Sequence, residues 1–592
     1  MNLKINLKTY LSYIFDYLPA WFVYSAGALV AFGIFVRAQG LGYSNFQGDE
    51  VNTVTFLYGM DHGVLAYLLE QKRGPIQYLL NIINVGIFGY HDEFWIRVPY
   101  LLFGIFALGT VFFMNRRIFG NLTAFFGLLL MSVNGLFIAF ARITQYQSLM
   151  YFVIPIAIFI FISAFEKEFI SYKKLAIAGL LTSFSLLVHY DTMSVMPFFI
   201  SGFVAMAYRG NLGFKASIQK YYKAILLFFI LVFVPALSYY IPFYNQSAFE
   251  DTTSGYLQGR LFGGSVDGGL QGVLNLFMPG TALSLKLLRL YLPQEFIFLF
   301  FVLGFLGILV SGIIAFKKRI ISILYLISVL VLFGFSWLSL YPIKPRASSL
   351  LVIFSAIAIS ALLVFNKRID WKRAAIITWF LGAYSFYFFI MRDARTHVYV
   401  SMIPLFGIAG YGFVYLNNFY RSLNLVVRHL FLVSTLMLFV FVSGINYVAF
   451  ANKNPEYPWW DKSFGTYELY KIDRVRHKKI EGVFGFNNNR GWDEVSELFQ
   501  KGCLVGNFNS NEKNSITYFY TKFDQKKLDA WELSFDSDNI ILVEGPHSWM
   551  YYKKEQIPDG YSLIKTIYRE DYPVSYIYGK STLYPEGQML CK

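Results

Sequence analysis

Long apolar runs constrain this chain more than any other feature of its sequence. Runs of about 20 mostly apolar residues recur along it, the length that an α-helix needs to cross a bilayer. Of its 592 residues, 56% are hydrophobic and only 15% are charged, against about a quarter in soluble domains. The sequence therefore predicts an all-α polytopic membrane protein.

Loop charge orients the predicted spans. Hydropathy gives about thirteen of them, at 18–37, 95–114, 121–140, 148–165, 175–190, 193–208, 222–244, 295–315, 320–340, 347–365, 374–391, 398–416 and 429–450. Lys and Arg cluster in alternate loops on the side of the N-terminus, which the positive-inside rule makes cytoplasmic. An odd number of spans then puts the C-terminus outside.

The chain divides into a membrane domain, 1–450, and a polar C-terminal domain, 451–592. The membrane domain carries two outer loops, 38–94 and 245–292, and we expect short interfacial helices in the first of them, at 51–60, 64–70 and 78–88. The C-terminal domain has a helical pattern at 492–499, and its β-rich runs lie at 503–506, 515–520, 540–543 and 575–578. This alternation predicts a small extracytoplasmic α/β domain.

Charge and cysteine content limit the partners. The net charge is +15, but no soluble segment has a basic stripe with interleaved aromatics, so a nucleic-acid partner is not expected. Membrane lipids, or the phosphate of a lipid-linked substrate, suit the excess charge better. The only cysteines, Cys503 and Cys591, both lie in the C-terminal domain. Their spacing leaves open whether they form a disulfide.

Two adjacent carboxylates, Asp49 and Glu50, follow the first span on the predicted outer side. A carboxylate there can act as general base toward an acceptor hydroxyl. Adjacent side chains point in different directions, so the two need not share a task. The alternative is an ordinary acidic pair at a helix N-terminus, which the helix dipole favours.

Several polar groups on the outer side could hold a phosphate. A charge such as Arg97, just inside the second span, is costly unless it is paired or functional. Arg142 and Gln145 share another outer turn, where the alternative is a capped turn between two spans. Positive charge outside is what the topology rule disfavours, and Arg suits bidentate phosphate binding. The candidates are Arg97, Arg142, Gln145, Lys72, Arg73, Arg346 and Arg395.

Further candidates on outer turns are His189, Asp191 and His397. His189 with Asp191 could ligate a metal, as could Asp49 and Glu50 with His62, but no group has a strong ligand spacing. The sequence therefore assigns no metal site and leaves a divalent ion possible. It also lacks a Walker A motif, a dinucleotide fingerprint and a nucleophile elbow.

Four features, in order, resemble those of a known family. Asp49-Glu50 follows the first span, and the other three are Pro75-Ile76-Gln77-Tyr78, Arg97-Val98-Pro99 with 101–104, and 142–149. Over about residues 1–200 the chain resembles the GT-C-type membrane glycosyltransferases, in the group of protein O-mannosyltransferases and lipid A aminoarabinose transferases. It departs from the family pattern at Gln147, where Tyr is expected, and at 72–75, which lacks the usual Pro pair. The C-terminal domain does not match the β-trefoil of the eukaryotic protein mannosyltransferases.

The resemblance implies an enzyme that moves one sugar from a polyprenyl-phosphate donor to an acceptor hydroxyl, with inversion. The acceptor would be a protein, a glycan or a lipid, and the site would lie on the outer face of a prokaryotic plasma membrane. Asp49 would be the general base, with Glu50 as a second catalytic or positioning carboxylate. Arg97, Arg142 and the later outer arginines would hold the donor phosphate.

Three other functions fit parts of the sequence. A transporter or flippase of a lipid-linked substrate would explain the spans, but it predicts Gly/Pro-broken half-helices in two related halves, which the sequence lacks. A relative that transfers a whole oligosaccharide would use a larger donor. A non-catalytic scaffold would leave Asp49, Glu50 and Arg97 without a role.

Overall fold

The computed structural model describes most of the chain. The described residues are 14–51, 53–54, 63–69, 74–89, 93–165, 169–209, 214–246, 288, 291–338, 346–391, 394–453, 463–464, 467–468, 484–521, 536–544 and 556–584. Most of the predicted loop 245–292 lies outside them, as do Lys72, Arg73 and His62.

The membrane domain is a helical bundle built from the apolar runs. Its helices outside the first predicted outer loop are α1 (Ala20–Ala38), α5 (Glu93–Phe119), α6 (Asn121–Ser132), α7 (Gly135–Ala141), α8 (Gln147–Ala164), α9 (Tyr172–Val188), α10 (Met196–Arg209), α11 (Phe214–Tyr244), α12 (Gln294–Ile313), α13 (Arg319–Leu338), α14 (Arg346–Val364), α15 (Trp371–Ser385), α16 (Tyr399–Leu423) and α17 (Leu425–Asn446). The short helices α2 (Gly48–Val51), α3 (Val64–Leu69) and α4 (Ile76–Phe88) lie in the first predicted outer loop, 38–94. Short stretches of 3₁₀ or π helix lie at Tyr190–Val195, Phe386–Ile390, Arg395–Val398 and Tyr447–Ala451.

Each predicted span corresponds to a helix, or to the pair α6 and α7. Among the described residues, nine helices are long and apolar enough to cross a membrane, or ten if that pair, bent by 67°, forms one span. The spans predicted at 175–190 and 193–208 correspond to α9 and α10, which have only 17 and 14 residues. The multi-pass, all-α fold is therefore confirmed.

The C-terminal part is an α/β unit, as predicted. Its elements are α18 (Trp492–Gln500), β3 (Phe508–Ser510), α19 (Asn514–Thr521), β4 (Asn539–Val543), β5 (Tyr561–Arg569) and β6 (Tyr572–Lys580), after a two-stranded pair of β1 (Ser463–Phe464) and β2 (Tyr467–Glu468). The four-stranded sheet has the order β3-β4-β6-β5, with β3 parallel to β4 and the other pairs antiparallel. Cys503 is disulfide-bonded, and Cys591 lies outside the described residues.

Two of the strand predictions were wrong. Residues 515–520 form helix α19, because Ile516 and Tyr520 are four residues apart and both face the buried side. Residues 503–506 form a turn that follows α18, and the strand begins at Phe508. The predicted helix at 492–499 and the strands at 540–543 and 575–578 are confirmed.

Residues 484–493, called here the docking segment, join the C-terminal unit to the membrane domain. The Asn45 backbone N–H donates to the Asn488 carbonyl at 3.1 Å, and the Asn45 Oδ1 accepts from the Arg490 backbone N–H at 2.7 Å. The Phe46 backbone N–H donates to the Tyr520 hydroxyl at 2.8 Å. The docking segment therefore packs against the residues that lead directly into α2.

We expect Gly485→Ala to loosen this docking. Gly485 has φ +77° and lies so close to α7 that an added Cβ would clash with the Ala139 carbonyl oxygen. Gly502 has φ +69° with open space around it. Both substitutions cost about 1–2 kcal/mol of backbone strain. Gly485→Ala adds the clash with α7, so its midpoint of thermal unfolding should fall further than that of the control Gly502→Ala. Equal losses would show that the close approach to α7 contributes nothing.

Candidate active site

Asp49 and Glu50 stand in the first turn of α2, in different surroundings. Asp49 is partly exposed, whereas Glu50 is completely buried. The Glu50 carboxylate accepts from Nε and Nη2 of Arg97, each at 2.9 Å. It also accepts from the backbone N–H groups of Thr144, at 2.8 Å, and Gln47, at 3.0 Å. Glu50 thus ties the start of α2 to α5 and to the turn after α7.

Arg97 uses all of its donors within the protein. Besides the two bonds to Glu50, Nη1 donates to the carbonyls of Leu41 and Ser44 at 2.9 Å each, and Nη2 donates to the Asn45 carbonyl at 3.4 Å. A guanidinium has five N–H donors, so these five bonds satisfy the group. The sequence suggested Arg97 as a phosphate ligand, but this geometry favours the paired-charge alternative.

Arg142 is also occupied by protein acceptors. Its Nη1 donates to the carbonyls of Val36 and Gln39 at 2.7 Å each, and its Nε donates to the Gly485 carbonyl at 3.0 Å. Its Nη2 donates to Asn487 Oδ1 at 3.2 Å. Arg142 therefore clamps the end of α1 to the docking segment, and its geometry also argues against direct phosphate binding.

Burial and the nearby Arg97 lower the pKa of Arg142 to about 9. Gln145, three residues further on, is buried as well, and its Nε2 has no hydrogen-bond partner among the described residues. Of the other phosphate candidates, Lys72 and Arg73 lie outside the described residues. Arg346 and Arg395 begin α14 and a 3₁₀ turn, respectively, and the structure does not describe their side chains.

His189, Asp191 and His397 form one buried cluster. Asp191 Oδ2 lies 2.7 Å from His397 Nδ1 and 3.2 Å from His189 Nδ1. The Tyr387 hydroxyl donates to Oδ1 and the Tyr399 hydroxyl to Oδ2, each at 3.1 Å. Burial alone would raise the pKa of Asp191, but the two imidazoles lower it well below its usual range. The structure thus unites three candidates that the sequence had placed on two separate turns.

The turn at 142–146 links this cluster to the carboxylate pair. The Thr144 N–H binds Glu50, and two residues later the Tyr146 ring stacks on His189 with their centroids 3.9 Å apart. The Tyr146 hydroxyl lies 3.5 Å from His397 Nδ1. Turns that are far apart in sequence therefore converge at one end of the bundle.

Sequence reasoning missed several residues of this site. Tyr146, Tyr387 and Tyr399 border the His–Asp–His cluster, and Gln77 Nε2 donates to the Thr144 carbonyl at 3.0 Å. In the sequence, each of them is only a residue with a polar side-chain group near the end of an apolar run. Aromatic residues make up 20% of the chain, so that signal does not single them out.

Comparisons with known proteins agree with the resemblance found in the sequence. Residues 72–239 match the family model of the dolichyl-phosphate-mannose-protein mannosyltransferases. A comparison with curated protein sequences finds no significant match. The residues matched by the family model, 72–239, include Arg97, Arg142 and the His189–Asp191 turn. They begin after Asp49 and end before His397.

Two solved structures are similar at low sequence identity. One is ArnT from Cupriavidus metallidurans bound to undecaprenyl phosphate, with 11% identity, TM-score 0.43, and coverage of 93% of this chain and 97% of that one. The other is the oligosaccharyltransferase AglB from Archaeoglobus fulgidus, in complex with an inhibitory peptide and a dolichol-phosphate. It has 12% identity and a TM-score of 0.42, and the alignment covers 87% of this chain and 61% of that one.

These TM-scores are below 0.5, so the family match over residues 72–239 alone supports the resemblance. The matched stretch, 72–239, holds the Arg97 and Arg142 motifs on which the resemblance rested. Helical, multi-pass architecture with a small C-terminal α/β unit agrees with it. Residues 72–239 thus match the family of the dolichyl-phosphate-mannose-protein mannosyltransferases, in agreement with the resemblance of the sequence to the GT-C-type membrane glycosyltransferases.

Proposed function

We propose that this protein transfers a single sugar from a polyprenyl-phosphate donor to an acceptor hydroxyl, with Asp49 as general base. The family model that matches residues 72–239 is described by a dolichyl-phosphate sugar donor, which supports a lipid-linked substrate. The acceptor is a protein, a glycan or a lipid that carries a free hydroxyl.

The different surroundings of the two carboxylates carry this proposal. Glu50 accepts four hydrogen bonds from protein groups and is completely buried, so it has a positioning role. Asp49 is its neighbour on a helix of only four residues and retains access to solvent. A rigidly held α2 with one partly exposed carboxylate suits general-base catalysis, which depends on geometry before pKa.

The proposed reaction is a displacement at the anomeric carbon. Asp49 takes the proton of the acceptor hydroxyl while its oxygen forms a bond to the anomeric carbon. The bond between that carbon and the phosphate oxygen breaks on the opposite face, which inverts the configuration. The polyprenyl phosphate leaves with the bonding electrons and gains negative charge, which fixed positive charge would stabilise.

A series of donors tests the single-sugar preference. The purified protein would be given polyprenyl phosphates bearing one sugar or a longer oligosaccharide, with a panel of hydroxyl acceptors. We expect transfer from the one-sugar donor, with inverted anomeric configuration by NMR. Transfer only from the longer donor would assign the protein to the oligosaccharide-transferring relatives instead, and a retained configuration would remove the single-displacement mechanism.

We further propose that the site faces outward across a prokaryotic plasma membrane. Cysteines introduced at two exposed positions test this orientation: Asp571→Cys between β5 and β6, and Lys318→Cys between α12 and α13. In intact cells, a membrane-impermeant maleimide should label only Asp571→Cys, above the background of the unmodified chain. Labelling of Lys318→Cys alone would reverse the topology.

A further inference from the structure

We propose that His189, Asp191 and His397 form a divalent-cation site of the zinc type, whose open coordination position takes an oxygen of the donor phosphate. The first half of this inference concerns the protein alone. The second half rests on the proposed function.

The geometry suits a bound ion. One potential ligand atom from each of the three residues lies within 4.8 Å of the others. The exposed fractions of His189, Asp191 and His397 are only 1%, 3% and 6%, so the ligands are shielded from competing water. A carboxylate buried this deeply needs a compensating positive charge, which a divalent ion supplies.

The ligand chemistry also fits. Two imidazoles and one carboxylate are the set that catalytic zinc sites use when the fourth position is open to water or substrate. The hydroxyls of Tyr387 and Tyr399 donate to the two oxygens of Asp191 and orient its carboxylate. Tyr146 stacks on His189 and fixes the plane of that ring. Outer partners of this kind are typical of metal centres.

The surroundings point to a phosphate as the fourth ligand. The described side chains predicted to neutralise it, Arg97 and Arg142, direct their donors to protein acceptors. An ion at the cluster would supply the positive charge that the departing phosphate needs. Gln145 Nε2, directly before Tyr146, is buried without a partner among the described residues and offers a hydrogen bond to the same ligand.

Metal content tests the ion site without reference to activity. The full chain, purified in detergent, would be incubated with Zn²⁺, desalted and analysed by mass spectrometry for bound metal. We expect about one zinc ion in the wild type and in the control His429→Ala, whose imidazole interacts with the Leu425 carbonyl within α17. His397→Gln keeps a hydrogen-bond donor toward Asp191 but should reduce bound zinc at least tenfold.

X-ray absorption on the wild type removes any dependence on how the variants fold. A shell of two nitrogen ligands and at least one oxygen supports the site. Two results would overturn the inference: equal metal content in the wild type and His397→Gln, or no zinc in the wild type. Either would show that the His–Asp–His cluster is held by hydrogen bonds only.

Titration with polyprenyl phosphate tests the second half. The zinc-loaded wild type should bind it at least tenfold more tightly than the metal-stripped protein, and the metal-stripped protein should bind no better than His397→Gln. Equal affinity with and without zinc would overturn the phosphate assignment. Asp49→Asn should keep its zinc, so a failure of the general-base proposal remains distinguishable from a failure of the metal site.

Discussion

Asp49→Asn should abolish most glycosyl transfer while leaving the protein folded and able to bind donor. General-base groups contribute about 10²–10⁴-fold to the rate, and we expect a loss of kcat in that range. Asn is nearly isosteric with Asp and almost equally favourable at a helix start, so α2 should persist. If Asp49 only favours the helix N-terminus, activity should stay near that of the wild type.

The measurement is kcat together with donor affinity, for Asp49→Asn and for a matched control. Asp559→Asn makes the same chemical change at an exposed turn of the C-terminal unit. The control should match the wild type in both quantities. If Asp49→Asn raises the donor dissociation constant but leaves kcat unchanged, Asp49 acts in donor binding rather than in proton transfer.

Arg97→Met should destabilise the membrane domain severely. Removing one partner of a buried ion pair leaves an uncompensated charge and costs about 3–5 kcal/mol. Here the orphaned group would be Glu50, which is completely buried, and three backbone carbonyls would lose their donors too. Thermal unfolding in detergent should show a large fall in the midpoint, and activity should fall with it because Glu50 positions α2.

An exposed pair in the same chain provides the control. Glu497 and Lys501 form an ion pair at 3.0 Å on the surface of α18, with side chains 60% and 63% exposed. Exposed ion pairs contribute about 0–1 kcal/mol to stability, so Glu497→Gln should shift the midpoint of thermal unfolding little. Adding Glu50→Gln to Arg97→Met should recover part of the loss, because no buried charge is then left alone. Similar shifts for Arg97→Met and Glu497→Gln would contradict a structural role for the buried pair.

Much of the fold follows from hydropathy alone. Each apolar run became a helix or a bent helix pair because a chain in lipid must satisfy its backbone hydrogen bonds within the helix. Segment type was harder to predict in the C-terminal unit. Residues 515–520 have β-forming side chains, but packing of Ile516 and Tyr520 against α18 and the residues before α2 selects a helix. Tertiary contacts outweighed local propensity there.

The site could be predicted only in part. The Asp49-Glu50 pair was visible because the residues are adjacent and lie on the predicted outer side. The Glu50–Arg97 ion pair spans 47 residues and the Asp191–His397 contact spans 206. Apolar helices of nearly uniform composition give no sequence signal for which neighbours they pack against. Loop charge therefore predicted a common side for these residues without revealing their partners.

Release of polyprenyl phosphate by the purified protein tests the central proposal most directly. Wild-type protein in detergent would be given a polyprenyl-phosphate monosaccharide and the panel of hydroxyl acceptors, and the freed lipid phosphate and transferred sugar would be quantified together. We predict equal amounts of the two products, and their near absence with Asp49→Asn. No release from any donor, together with movement of the intact lipid across vesicle membranes, would contradict a transferase and indicate a transporter.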